Sequence, residues 1–472
     1  MNKPFSDFLA RLVDEGGQGK NSIIRNTGIN RSSFYKFLNG ERIPTKIQYE
    51  EIKRNLPLTV SETQKLDKLY NIATLGMDIT SNRKAVYDCL EMVSAYEGRE
   101  HSIEVERTEA EEKAVTTFTA DHKNDVLVLL DSFLERQFAS GGGRIDAFMP
   151  YMDGWFYQRL HINILKGNAN SMEIRNLIQF PKGRGGTISH IVENYNNMLF
   201  FALSGFQGLQ NYYYYDNSVI EDNPGYLYPY YLLGSDEAIF VDGTINYALL
   251  IRQKDLLTQF RNQVTNVFAK VHKSGLRTID LQSLVADAED YSHYGANGWR
   301  YGNMADLLML LDEDQFRMIP DLEPYVSRLR KVQQRINQKQ NSTEFISLDG
   351  IRTFAKDGIA RGLPITAEYT FSPKDRIRIL KKIYDAIGLS FYILDEKKMP
   401  ILREWVFILI EGKELFFVHC GKPELMEINE LNLVDIFADY FGALPMSDNV
   451  LSVEKSHEEI QKLISELNSE AE

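Results

Sequence analysis

The chain has 472 residues, more than one hydrophobic core usually organises, so roughly two to four domains are expected. Its hydrophobic fraction of 43% supports packed cores, and its formal net charge at pH 7 is -13. Phosphate repels an acidic protein, which excludes a protein that binds nucleic acid over its whole surface.

Several function classes lack their sequence signals. No apolar run approaches the roughly 18 residues that span a bilayer, and the N-terminal stretch lacks the apolar core of a secretory signal. Two cysteines, Cys89 and Cys420, form no disulfide framework, and the eight histidines show no metal-binding pairing. We therefore predict a cytoplasmic protein with no membrane segment, no metal site and no cofactor.

The charge is unevenly distributed. Residues 1–76 contain twelve Lys and Arg against eight Asp and Glu, so a weakly basic head precedes a strongly acidic body. Any contact with nucleic acid is therefore expected within this head.

In the head, apolar residues recur at helical spacing. They are Phe5, Phe8, Leu9, Leu12, Ile23, Ile24, Phe34, Phe37, Leu38, Ile47 and Ile52. This pattern predicts four or five short helices. The last of them starts with a capping box from Ser61 to Gln64 and ends at Gly76. The head is thus predicted to be an all-α domain of residues 1–76.

The rest of the chain favours an α/β (α+β) body behind an acidic, partly helical linker at residues 77–120. Helix and strand patterns alternate over residues 121–275 and again over the C-terminal domain, residues 341–472, with a helical region at residues 276–340 between them. Asn337–Thr343 is the expected internal linker. Residues 230–268 and 405–444 share the order strand, strand, strand, helix, which favours two related α/β units.

The stretch TGINRSSFYKFLNGERIP, from Thr27 to Pro44, carries the clearest functional pattern. Asn30 is a good N-cap for a helix that has its apolar face at residues 34, 37 and 38. The opposite face carries Arg31, Ser32, Tyr35 and Lys36. The turn Thr27-Gly28-Ile29 joins this helix to a preceding one, and its length sets two helices at a steep angle.

This segment resembles the helix-turn-helix of the Cro and phage-repressor family, also called XRE. The resemblance rests on Gly28-Ile29 in the turn, on Phe34, and on the closing NGERIP, a form of the family's G-x-x-x-P ending. It covers about Lys20 to Ile52. It implies a bacterial or phage-type transcriptional regulator that binds double-stranded DNA, and we expect such a regulator to be a homodimer or larger oligomer.

The resemblance also implies roles for individual residues. The recognition helix runs from Arg31 to Leu38, with Arg31 and Ser32 facing base edges in the major groove and Tyr35 one turn further. Lys20 lies where the family usually has a phosphate-binding Gln, and Asn39 and Arg42 lie at backbone-contacting positions. The full set of predicted DNA-binding residues is Lys20, Asn30, Arg31, Ser32, Tyr35, Lys36, Asn39 and Arg42.

Alternatives remain at this level. The head can instead be a protein-binding module with a solvated polar face. The tyrosine runs at Tyr212–Tyr215 and Tyr226–Tyr231 favour ordinary sheet packing over a ligand pocket. The Gly-rich loops at Ser140–Arg144 and Lys182–Thr187 match no phosphate-binding motif and favour structural turns.

The body shows no catalytic spacing, so we predict a module that senses a small molecule, peptide or protein effector or mediates oligomerisation, and no enzyme. The competing hypotheses are a helix-turn-helix head fused to an enzymatic or defence effector, and a scaffold that binds only protein.

Overall fold

The computed structural model describes residues 3–16, 19–96, 117–140, 143–149, 155–163, 172–180, 192, 208–215, 227–278, 281–292, 297–339, 342–359, 369–420, 424–428 and 430–471. They divide into two compact units, the first built mainly from residues 1–85 and the second from residue 86 onward. Within these ranges the first unit contains helices and no strand, whereas the second combines helices with a mixed sheet. The chain is therefore a multidomain α+β protein, as the sequence predicts.

The first unit contains five short helices and the beginning of a sixth. The five are α1 (Lys3–Glu15), α2 (Lys20–Thr27), α3 (Arg31–Leu38), α4 (Lys46–Arg54) and α5 (Val60–Leu75). Side-chain oxygens of Asn30, Thr45 and Thr59 accept hydrogen bonds from first-turn amides and so cap α3, α4 and α5.

The predicted capping box from Ser61 to Gln64 is wrong. The box is formed by Thr59 and Glu62, two residues earlier, because α5 already begins at Val60. Both pairs fit the spacing of the motif, so the start of the helix decides between them.

All five helices contribute side chains to one small core. Helix α1 packs against α3 and α5, and α2 packs against α4. The buried side chains include Phe5, Leu9, Leu12, Ile23, Phe34, Phe37, Tyr49, Ile52, Leu66 and Tyr70. The rings of Tyr49 and Tyr70 stack with their centroids 3.9 Å apart. The apolar spacing in the sequence thus places the core-facing side of α1, α2 and α3 correctly. In α4 the prediction holds for Ile52 but is wrong for Ile47, which is 79% exposed, because Tyr49 faces the core instead.

Helix α6 (Met77–Tyr96) lies at the start of the predicted linker. Its second half has a buried apolar face that includes Cys89, Leu90 and Val93. The Ser94 hydroxyl donates a hydrogen bond to the Ile401 carbonyl oxygen at 2.8 Å, so this half of α6 packs within the second unit. Most of the acidic part of the predicted linker, residues 97–116, lies outside the described residues.

The first half of the body alternates strands and helices before a three-stranded meander. Its elements are β1 (Thr117–Ala120), α7 (Lys123–Ala139), β2 (Gly143–Phe148), α8 (Trp155–Asn163), β3 (Met172–Phe180), β4 (Leu209–Tyr215), β5 (Tyr230–Leu233), β6 (Ala238–Val241), β7 (Ala248–Ile251) and α9 (Lys254–Phe268).

The second half repeats this plan with more helices. Its elements are β8 (His272–Thr278), α10 (Leu281–Ser292), β9 (Gly298–Gly302), α11 (Leu307–Leu310), α12 (Glu313–Met318), α13 (Val326–Lys339), β10 (Ser342–Ile346), α14 (Leu348–Asp357), α15 (Pro373–Ala386), β11 (Phe391–Ile393), β12 (Trp405–Ile410), β13 (Glu414–His419), β14 (Glu424–Ile428), α16 (Leu431–Ala443) and α17 (Val453–Ala471).

The described strands form one sheet of 14 strands in the order β1-β7-β6-β5-β2-β3-β4-β8-β14-β13-β12-β9-β10-β11. Numbered within its own half, each set of seven strands has the same order, 1-7-6-5-2-3-4. In both halves the second, third and fourth strands pair in parallel and the other pairs are antiparallel. The two α/β units predicted from the shared strand pattern therefore have the same topology.

Two local predictions differ from the observed elements. The region at residues 276–340, predicted to be helical, also contains β9, a five-residue strand that sequence periodicity does not separate from its helical neighbours. Asn337–Thr343 is not an open linker: α13 continues to Lys339 and β10 begins at Ser342. Polar composition alone does not distinguish a solvated helix end from a linker.

One edge of the sheet is covered by its own chain. The Leu451 amide donates to the Ile393 carbonyl oxygen at 2.8 Å, and Val450 forms an antiparallel bridge with Leu394. This cover blocks further strand pairing at β11.

The tyrosine runs pack mainly within the sheet. On one face of β4, Tyr212 packs against Phe268. On the other face, Tyr213 packs against Tyr215, as alternation along a strand requires. Tyr213 and Tyr230 are buried. Of the two Gly-rich loops, Lys182–Thr187 lies outside the described residues, and in the other Gly143 already belongs to β2.

Candidate nucleic-acid interface

The turn between α2 and α3 depends on one glycine. Gly28 has φ of 65° and ψ of 10°, a left-handed conformation that disfavours side chains with a Cβ. The Thr27 hydroxyl donates to the Ile23 carbonyl oxygen at 2.8 Å, and Ile29 is buried in the core. The three-residue connection is thus held at both sides, and it sets the direction of α3.

Helix α3 has one buried and one exposed face. Phe34 and Phe37 are fully buried and Leu38 nearly so, which anchors the helix to the core. The Asn30 side chain accepts a hydrogen bond from the Ser32 amide at 2.8 Å and starts the helix where the sequence predicts. Because these contacts fix the buried face, the opposite face stays presented to solvent.

Apart from Lys20, which begins α2, the predicted site residues lie on this exposed side and at the two ends of α3. Asn30, Arg31, Ser32, Lys36, Asn39 and Arg42 are exposed, whereas Lys20 and Tyr35 are half-buried. The Arg31 guanidinium lies 5.9 Å from the centre of the Tyr35 ring, one helical turn away. Among the described residues neither Arg31, Lys36 nor Arg42 takes part in an ion pair, so these three cations are available to an anionic partner.

Lys20 is in a different situation. Its ammonium group forms an ion pair with the Asp14 carboxylate at 2.9 Å, and this hydrogen bond raises the pKa of Lys20. Asn39 also has an internal partner, since its side-chain amide donates to Glu41 at 3.4 Å. A phosphate at either side chain would therefore compete with an internal acceptor.

The segment after α3 is a second ordered turn. Gly40 has φ of 77°, and the amides of Glu41 and Arg42 both donate to the Lys36 carbonyl oxygen. The Tyr70 hydroxyl donates to the Pro44 carbonyl oxygen at 3.0 Å. The NGERIP ending therefore closes α3 and ties the following chain to α5.

Two further exposed cations lie outside the predicted set of DNA-binding residues. Arg25 lies in the last turn of α2, and Lys46 is the first residue of α4. The excess of basic residues over residues 1–76 is the sequence signal for them, but it does not indicate which of these residues contact DNA.

In the second unit, buried ion pairs lie between the second and third strands of each half. Arg175 binds Asp146 with two hydrogen bonds, of 2.6 and 2.8 Å. In the second half Arg300 faces Glu344 with a nitrogen–oxygen distance of 3.5 Å. Burial and the neighbouring Asp306 raise the pKa of Glu344 to about 7, against the opposing effect of Arg300.

The described residues contain neither a membrane-spanning helix nor a cluster of metal-ligating side chains. No helix in the described part of the chain is long and apolar enough to cross a membrane. Within the same residues, no group of three or more His, Cys, Asp or Glu side chains is arranged to hold a metal ion.

The fold and the geometry of α2, the Gly28 turn and α3 define the class of this protein. It is a multidomain α+β protein with a helix–turn–helix arrangement in its first unit. No family model and no curated protein matches the sequence. Solved structures of low similarity include TrmBL2, an archaeal chromatin protein whose structure is described as showing a novel mode of DNA binding. It is 10% identical, with 57% of this chain and 99% of that chain covered and a TM-score of 0.25.

Two enzymes are similar at the same low level. For phosphatidylserine synthase from Haemophilus influenzae the identity is 7%, the coverage is 76% of this chain and 94% of that chain, and the TM-score is 0.25. For polyphosphate kinase from Porphyromonas gingivalis the corresponding values are 8%, 73%, 52% and 0.21. Likeness this low carries no argument about function, so the function has to be inferred from the site.

Proposed function

We propose that this chain is a DNA-binding transcriptional regulator that reads double-stranded DNA with α3. The observation that carries the proposal is the exposed face of α3, which presents Arg31 and Lys36 with no ion-pair partner in the described residues. The turn at Gly28 and the Asn30 cap hold this face in place. An excess of cations in the first 76 residues of an acidic chain is the charge distribution expected of a DNA-binding head.

In this proposal the N-terminal end of α3 enters the major groove. Arg31 occupies the first turn, where a guanidinium can donate two hydrogen bonds to O6 and N7 of a guanine. Ser32 lies beside it, and Tyr35 supports the Arg31 side chain from one turn further. Lys36, Asn39, Arg42 and Lys20 contact phosphates, which position the helix without reading sequence.

The acidic second unit has a separate role in this proposal. It senses an effector or joins two copies of the chain, and the N-terminal unit binds DNA. The repeated strand order provides two similar halves within one chain, but it does not identify an effector.

In vitro selection of random DNA with the full chain, followed by fluorescence anisotropy on the selected site, tests the proposal. We expect Arg31→Ala to lose on the order of 1–3 kcal/mol on the selected site and little on unrelated DNA. Arg31→Lys is the matched control, because it keeps the charge and loses the paired donors. It should retain non-specific binding and lose discrimination.

Absence of sequence enrichment in the selection would contradict the proposal. So would equal affinities of the wild type and Arg31→Ala for the selected site at moderate salt. In either case the exposed face of α3 would be assigned to a protein partner.

A further inference from the structure

A partly open cavity lies at the carboxyl ends of strands β9 and β10. Its lining includes Arg300 from β9, Asn303 after that strand, Thr353 from α14, Arg403 before β12 and Cys420 after β13. Ligands of α/β sheets commonly bind outside the carboxyl ends of parallel strands, where the following loops and helices leave a crevice. Two of these five side chains are guanidinium groups, which makes the electrostatics of the cavity unusual for this acidic chain.

Arg300 is the buried component of this lining. The residue is only 8% exposed. Its Nη1 donates to the Met304 carbonyl oxygen and faces Glu344. Within the described part of the chain, its Nε and Nη2 donate no hydrogen bond to the protein. A guanidinium that lines a cavity and keeps donors outside protein hydrogen bonds favours an anionic ligand, because its N–H groups match the oxygens of a carboxylate or phosphate.

The walls of the cavity are held in place by close packing. A Cβ on Gly350 would lie 2.0 Å from the Asn303 carbonyl oxygen, so α14 begins directly against the loop that follows β9. The Ser347 hydroxyl accepts from the Gly350 amide at 2.8 Å and hydrogen bonds with the Asn303 side chain. These contacts fix Asn303 and the first turn of α14, so the cavity is a formed feature of the fold.

We propose that this cavity binds a small anion, the carboxylate or phosphate group of a metabolite, through Arg300 and Arg403. Arg300 supplies donors from a largely buried side chain, and Arg403 supplies a second positive charge at the more exposed side. Asn303 and Thr353 add polar groups that can orient the ligand. The inference concerns the second unit alone, and it does not depend on DNA binding by the first.

Cys420 provides a probe in the wild-type protein. The chain has two cysteines; Cys89 is buried, whereas Cys420 is partly exposed in the cavity lining. Alkylation of the full chain by iodoacetamide, a neutral reagent, should therefore occur at Cys420. Inorganic phosphate, and in a second series acetate, should slow this reaction saturably relative to sodium chloride at equal ionic strength. The rate should fall about tenfold when the anion is at about ten times its Kd.

Three variants decide between a specific site and general ionic effects. Arg300→Gln and Arg403→Gln should lose the protection of Cys420. Arg352→Gln is the control, because it removes a charge from α14, the helix that carries Thr353, without changing the cavity lining. The Arg352 side chain pairs with Glu459 at 2.7 Å, so this variant should keep the protection of Cys420. If Arg300→Gln does not fold, Arg403→Gln alone decides the result.

No saturable protection by either anion would overturn the proposal. Equal protection of the wild type and Arg403→Gln would overturn it as well. Protection by only one of the two anions would support the site and identify the ligand group as a carboxylate or a phosphate.

Discussion

At the scale of single residues, the predicted DNA-binding side chains are not equivalent. Arg31 is exposed and outside any ion pair in the described residues, whereas Lys20 already binds Asp14 at 2.9 Å. An exposed ion pair contributes little to stability, so a phosphate can displace Asp14 at small cost. The carboxylate nevertheless lowers the local positive potential that a phosphate would meet.

This arrangement predicts opposite effects for two substitutions. Lys20→Ala should weaken binding to all DNA sequences alike and reduce the slope of log affinity against log salt by about one. Asp14→Ala should strengthen non-specific binding, because it frees the ammonium group and removes a negative charge. Anisotropy titrations on selected and unrelated DNA at several salt concentrations measure both effects. An unchanged slope for Lys20→Ala would remove Lys20 from the interface.

Glu344 predicts a pH dependence of stability in the second unit. Its pKa rises from the ordinary 4.5 to about 7 on folding, mainly through burial, so the folded state binds the proton more tightly. The contribution of Glu344 to the free energy of unfolding is therefore largest below about pH 4.5, and it is lost as pH rises through about 7. Glu344→Gln resembles the protonated side chain, so its stability relative to the wild type should improve between pH 5 and pH 8.

Urea unfolding at these two pH values, followed by tryptophan fluorescence, measures the difference, since Trp299 and Trp405 lie in β9 and β12. Asp306→Asn is an informative companion: Asp306 raises the pKa of Glu344, so this change should move the transition to lower pH. Parallel pH profiles for wild type and Glu344→Gln would show that Glu344 does not titrate in this range.

At the scale of elements, the turn between α2 and α3 should be the sensitive point of the first unit. A Cβ on Gly28 would meet nothing within 4 Å, so Gly28→Ala isolates the cost of the left-handed backbone, about 1 kcal/mol. Gly28→Asn is the matched control, because Asn tolerates the left-handed conformation better than Ala does. It should cost less than Gly28→Ala.

Hydrogen exchange of the α2 and α3 amides in the full chain measures this cost. Gly28→Ala should speed exchange about fivefold, which corresponds to about 1 kcal/mol. Equal exchange in the two variants would mean that the turn is not held in the conformation described.

At the scale of the whole molecule, one recognition helix contacts too few bases for strong discrimination. Regulators with this docking mode place two helices in successive major-groove segments, roughly 34 Å apart. We therefore predict a homodimer or larger symmetric assembly, with the acidic second unit supplying the interface. Sedimentation at micromolar concentration, with and without selected DNA, tests this prediction. A strict monomer in both conditions would contradict it.

Much of the local structure was predictable from sequence because its causes are local. Apolar spacing indicated the helices of the first unit, and Gly28, Asn30 and Gly40 marked the ends of α2 and α3. The shared pattern in residues 230–268 and 405–444 indicated two related meanders. The sequence also predicted a role in DNA binding, from the polar residues on the face of α3 opposite Phe34 and Phe37. This role remains a proposal.

Only the tertiary structure showed features that join distant residues. The repeated strand order depends on which strands pair, and pairing is set by packing of faces that are far apart in the chain. The same holds for the contact between Arg300 and Glu344, for the cavity that brings Thr353 near Arg403 and Cys420, and for the Lys20–Asp14 ion pair across a helix junction. Sequence periodicity reports the side of a helix or strand that is buried, but it does not report what that side meets.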